Sequence, residues 1–214
     1  MRTFSQRMAV VAAMSALAGM ARAEVAKTIE DFEGHGVIVD VHTFFTAAAQ
    51  DTGAVEVAHA RVAGRALVTE EGVYAFLENP ENAGHLAQVG PGSVVLVKGK
   101  LLKEGALLHI EALEKQTAVP LIDFARFRND AGREVVLKGV NKCQCGLDVG
   151  SMPHSCELGH LHHLEAADGR IYHYLQFAQG QKVFLGEGFH FQPVAVKARL
   201  LPGNYLLVQE AQVE

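Results

Sequence analysis

The 214-residue chain carries 19 Lys and Arg against 24 Asp and Glu, contains no Trp, and is only 7% aromatic. Residues 1–23 hold Arg2, Arg7 and Arg22 but no acid, so the remainder has 16 basic against 24 acidic side chains, a formal charge of −8. That balance argues against a nucleic-acid partner, whose binding needs phosphate neutralisation and stacking rings, and against a polybasic membrane grip.

In chain order, residues 1–23 come first and read as a secretory signal. Arg2 and Arg7 form a basic start, residues 8–20 are a 13-residue run of apolar and small side chains, and Ala21-Arg22-Ala23 is an A-x-A cleavage site. The run is shorter than the roughly 20 apolar residues that cross a bilayer. No cysteine follows it to take a lipid, and no later stretch predicts a membrane span. The expected working protein starts at Glu24 and is periplasmic or secreted.

After a polar lead-in over 24–33, the alternation of 36–45 predicts a strand. Residues 61–69 and 73–78 predict a hairpin turning at Glu70-Glu71-Gly72. Asn79-Pro80 opens a short helix over 80–88, with Asn79 as cap and Pro80 in its first turn. Residues 93–102 and 107–113 form a second hairpin around Lys103-Glu104-Gly105. Three strands, a helix and two strands is the element order of an OB-fold, a five-stranded Greek-key barrel.

The outline recurs after a linker over 116–133. Residues 134–142 match the first strand, 160–166 and 171–177 make a hairpin at Ala167-Asp168-Gly169, and 194–201 and 205–209 close around Pro202-Gly203-Asn204. GKLLKEGALLHIEAL is echoed by ARLLPGNYLLVQEAQ, and TEEGVYAFL by AADGRIYHYL. Self-similarity of this kind sets the fold class: an all-β chain of tandem OB-like five-stranded Greek-key barrels with one short helix. Unit one spans 24–115 and unit two 134–214, as two half-sized barrels or one fused double barrel.

The second unit resembles small exported bacterial OB-fold domains over about 135–210. The resemblance rests on Cys143 near the end of the first strand, a loop through His154, Cys156 with Gly159, and Asp168-Gly169 followed by Tyr172. Members often carry a further cysteine that has no counterpart in this chain. The resemblance implies an exported OB-fold with a metal or redox loop, and no known reaction.

Chemistry concentrates in residues 142–164, KCQCGLDVGSMPHSCELGHLHHL, which hold all three cysteines and four of the eleven histidines. Cys143/Cys145, His154/Cys156 and His160/His162 are each spaced i, i+2, which puts both members on one face of an extended chain. On antiparallel neighbours, Cys143 and Cys145 would face His160 and His162, a Cys₂His₂ set suited to one zinc or copper ion. His154 and Cys156 would add ligands from the intervening loop. The corresponding stretch of the first unit, 46–61, has no cysteine and one histidine, His59. Two alternatives stay open. Cys156 bonded to Cys143 or Cys145 would staple the loop in an oxidising compartment. A redox-active thiol is the other, although C-x-C lacks the C-x-x-C spacing that usually lowers a thiol pKa.

The functional expectation is a copper- or zinc-handling protein, or an accessory of a periplasmic metalloenzyme, with a protein partner. The competing class is a disulfide-stapled subunit of a periplasmic complex without metal. Catalysis comes third: only Asp148, Glu157 and Glu165 stand near the ligands as acid–base groups, and neither G-x-S-x-G nor H-E-x-x-H occurs.

Overall fold

A computed structural model describes residues 26–45, 64–128, 130, 132–149, 161–175 and 190–214. The signal segment 1–23, His59, His154, Cys156 and His160 lie outside them.

The chain forms two closed five-stranded barrels. The first comprises β1 (Ile29–Asp40), β2 (Arg65–Thr69), β3 (Val73–Phe76), β4 (Val94–Leu102) and β5 (Leu107–Lys115), closed in the order β1-β2-β3-β5-β4. The second comprises β6 (Arg133–Cys143), β7 (His162–Ala166), β8 (Ile171–Leu175), β9 (Pro193–Leu201) and β10 (Tyr205–Val213), closed as β6-β7-β8-β10-β9. In each barrel all pairings are antiparallel except the third strand with the fifth. This is the OB-like Greek key that the element order predicts.

The ladders of the two barrels match in register. Gly36 stands opposite Thr69 and Val95, and Gly139 stands opposite Ala166 and Val194. A Cβ at Gly36 would lie 2.4 Å from the Val68 carbonyl oxygen, and one at Gly139 would lie 2.3 Å from that of Glu165. Both glycines therefore sit where the first strand comes too close to its neighbour for any side chain. Both last-strand pairings also carry a register shift at the same place, between Ala112 and Ile110 in one barrel and between Val208 and Glu210 in the other.

Three elements differ from the sequence reading, which has one short helix: β1, a helix directly after it and, in the linker, another helix. β1 begins at Ile29, inside the polar lead-in. Its acids pair across the ladder with lysines of β4: Glu33 with Lys98 and Asp31 with Lys100. The strand is polar because its partner is basic, and opposed charges favour such pairs. It ends at Asp40, and the predicted strand end 41–45 is instead helical, α1 (Val41–Phe44). Asp40 caps it, accepting a 2.8 Å bond from Thr43 N, and Val41, Phe44 and Phe45 are buried at i, i+3, i+4.

The predicted helix forms as α2 (Pro80–Leu86), capped by Asn79, whose side chain accepts from Asn82 N at 2.7 Å. Asn82 is fully buried between strands: its amide donates to Leu77 O and Leu108 O and accepts from Ile110 N. It thereby satisfies backbone groups where β3 and β5 diverge. A third short helix, α3 (Phe124–Arg128), lies in the linker and buries Phe127.

Three cores result. One fills each barrel, around Leu67, Val97 and Ile110 in the first and Leu164, Val196 and Leu206 in the second. The third is shared. It unites Phe45, Leu77, Leu102 and Leu107 of the first barrel with Val149, Ile171, Leu175 and Tyr205 of the second. The contact follows an approximate two-fold exchange. The β4–β5 turn brings Gly105 against Ile171 at the start of β8, and the β9–β10 turn brings Gly203 against Val73 at the start of β3. The Asn204 amide completes the seam, donating to Glu104 O at 3.0 Å and Ile171 O at 3.1 Å.

Candidate functional site

β6 and β7 place Cys143 directly opposite His162. Two residues further in, Asn141 stands opposite Leu164, and alternation puts all four on the inward face. Cys143 and His162 are thus buried at one end of the second barrel, above its core residue Leu164.

The equivalent ladder position of the first barrel pairs Asp40 with Arg65. Arg65 reaches the end of α2 and the chain just after it, donating to Leu86 O at 2.6 Å and Val89 O at 3.2 Å. His162 makes the corresponding reach in the second barrel: its ring meets His190 edge-on, with centroids 4.6 Å apart. His190 is held there by two backbone bonds to Asn141, from Phe191 N to Asn141 O and from Asn141 N to Gln192 O. Phe191 adopts φ 58° and is 71% exposed. The first barrel makes the same turn at Gly92, φ 88°, with the same pair of bonds to Ile38, so the left-handed conformation belongs to the fold. The decorated barrel has therefore replaced an acid–guanidinium pair by thiol and imidazoles at one point of the same fold.

Cys145 departs from the extended geometry that its spacing suggests. β6 stops at Cys143, and Gln144–Gly146 is a 3₁₀ turn. The ladder runs one step further through Gln144 N to Leu161 O, 2.9 Å, and then leaves the sheet. Cys145 is half-buried in that turn. Among the described residues, no three His, Cys, Asp or Glu side chains are close enough to hold one metal ion. Of the six candidate ligands, Cys143 and His162 are paired and Cys145 is in the adjacent turn. His154, Cys156 and His160 lie outside the described residues.

The neighbouring charges are otherwise engaged. Burial raises the Glu165 carboxyl, but hydrogen bonds from Lys142 (2.9 Å) and Lys27 (3.1 Å) outweigh it and hold its pKa below the ordinary value. His163 points to the opposite face from His162, into the seam, where burial foremost keeps it neutral, well below the usual imidazole range. His109 is buried in the first barrel and bonded to Asn79 through Nδ1, 3.1 Å. It belongs to packing there.

His190 and Gln144 carry no local sequence signal. His190 becomes visible only by superposing the repeats, since it occupies the connection whose first-barrel counterpart receives Arg65. Compared with protein-family models, curated proteins and solved structures, the chain matches none.

Proposed function

We propose that this is an exported, periplasmic or secreted metal-binding protein that handles copper or zinc, or serves a periplasmic metalloenzyme as an accessory. The ligands come from Cys143, Cys145, His154, Cys156, His160 and His162. The observation that carries the reading is the buried Cys143–His162 pair, with the His190 ring against it, at a position where the sister barrel has Asp40 and Arg65. Thiolate with imidazole is a donor set for Cu(I) or Zn²⁺, and burial removes the water that would compete for the ion.

Elemental analysis of protein purified from the periplasmic fraction, with thiols counted before and after reduction, tests it. About one equivalent of copper or zinc and an N-terminus at Glu24 are expected. Metal-free protein with one disulfide to Cys156 would establish the stapled structural subunit instead.

A further inference from the structure

We propose that Gln144 is a positioning residue for this site, and that the first barrel, through it, fixes the turn bearing Cys143 and Cys145. The inference rests on the metal-binding reading above. Gln144 lies between the two cysteines and is 2% exposed. Its backbone is occupied within the second barrel, N–H donating to Leu161 O and carbonyl accepting from Leu147 N, both at 2.9 Å. Its side chain reaches the other barrel, where Oε1 accepts a buried 3.1 Å bond from Glu78 N, between β3 and the α2 cap. Leu147 and Val149, just beyond the turn, are buried in the shared core. The turn is thus clipped to the first barrel at its first residue and packed against it at its exit.

The repeat shows that the fold of the turn does not demand this glutamine. Its first-barrel counterpart is Val41, whose N–H makes the same ladder-extending bond, to Gly64 O at 2.8 Å. Val41 is buried with an apolar side chain and makes no polar link. Among the described residues, the polar clip is made from the turn that carries the cysteines and not from its first-barrel counterpart. Groups that hold metal ligands in place commonly matter 10–100-fold for metal affinity.

The test is Co²⁺ titration of the reduced full chain, following thiolate-to-cobalt absorbance, with amide hydrogen exchange of the metal-free protein. Gln144→Met keeps the length and removes the acceptor; Gln144→Glu restores one. The expected result is about 10–100-fold weaker Co²⁺ binding in Gln144→Met, faster exchange at Cys145 and Leu147, and recovery of both in Gln144→Glu. If Gln144→Met does not fold, Gln144→Asn, one methylene too short to reach Glu78, carries the same comparison. Wild-type binding that Cys143→Ser abolishes and Gln144→Met leaves unchanged overturns this inference alone. A wild-type chain that takes up no Co²⁺ overturns the metal reading with it. Unchanged exchange around 145–147 overturns the clip whatever the metal does.

Discussion

His163 stands directly opposite His173 across the β7–β8 ladder, on the face of the second barrel that the first barrel covers. His173 donates from Nε2 to Gly105 O at 2.6 Å, while its Nδ1 and both ring nitrogens of His163 have no hydrogen-bond partner among the described residues. Two neutral imidazoles therefore close the seam between barrels, with Lys27, Lys142 and Glu165 beside them and His162 on the far face of the strand.

This pair predicts acid sensitivity. Burial lowers the His173 pKa to about 4 and that of His163 well below its ordinary value, for which neighbouring positive charge is a further cause. The unfolded chain binds these protons near pH 6.5. A depressed folded pKa means the stability is fully present above that value and falls as pH drops toward the folded one. Stability should decline as pH falls below 6.5, for His173 down to about 4, by up to about 1.4 kcal/mol per pH unit for each histidine. Urea unfolding at pH 7.0 and 5.0 checks it. His163→Leu should flatten the dependence by up to one proton, and an unchanged slope would remove His163 from the account.

The shared core predicts that the barrels unfold together. Ile171 is fully buried and packs on Gly105 of the other barrel. Ile171→Ala should cost about 2–5 kcal/mol and lower the melting temperature of one cooperative transition, with exchange rising at Leu102 and Leu107 as well as in β8. Two separate calorimetric transitions, with only the second displaced, would show the barrels to be independent.

Gly139→Ala should destabilise by about 1–3 kcal/mol, because the new Cβ has only 2.3 Å to the Glu165 carbonyl oxygen and either strand must move. Gly36→Ala should behave alike in the first barrel. Thermal denaturation of both variants compares the two closures. If Gly139→Ala melts with wild type, the strand has slack there and the close approach is not required.

How much the sequence discloses depends on whether the signal is local. The hairpins at Gly72, Gly169 and Gly203, the Asn79-Pro80 helix start and the internal repeat are all readable, because turn chemistry and periodicity act within a few residues. The first half of β1 is not readable alone. Its Glu30, Asp31 and Glu33 make sense only beside Lys103, Lys100 and Lys98, some 65–73 residues later. α1 was legible in principle: Asp40 before Val41, Phe44 and Phe45 is a cap with i, i+3, i+4 spacing, but the apolar run at 36–39 favours extending the strand. At the site, the Cys143–His162 pairing follows from antiparallel neighbours. The turn that removes Cys145 from the ladder, the reach of His190 and the Glu78–Gln144 link come from tertiary closure, which spacing does not encode.

The metal reading makes the sharpest prediction, and the repeat supplies its own control. Cys143→Ser and His162→Ala each remove one donor from the buried cross-strand pair and should abolish binding of copper or zinc, measured as equivalents per chain by elemental analysis. Loss of His190, whose ring lies against His162, should weaken it. Substitutions at equivalent first-barrel positions should leave stoichiometry unchanged: Asp40 there caps α1 and Arg65 binds Leu86 O and Val89 O, so Asp40→Asn and Arg65→Lys act on stability only. His109→Ala breaks the bond to Asn79 and should likewise cost stability, not metal. His85→Ala, on α2, should do neither. The stapled alternative reverses the pattern: no metal in any variant, indifference to His162→Ala, and loss of one disulfide when Cys156 is replaced. Loss of metal in Asp40→Asn or Arg65→Lys without a lower melting temperature would refute the assignment of the site to the second barrel.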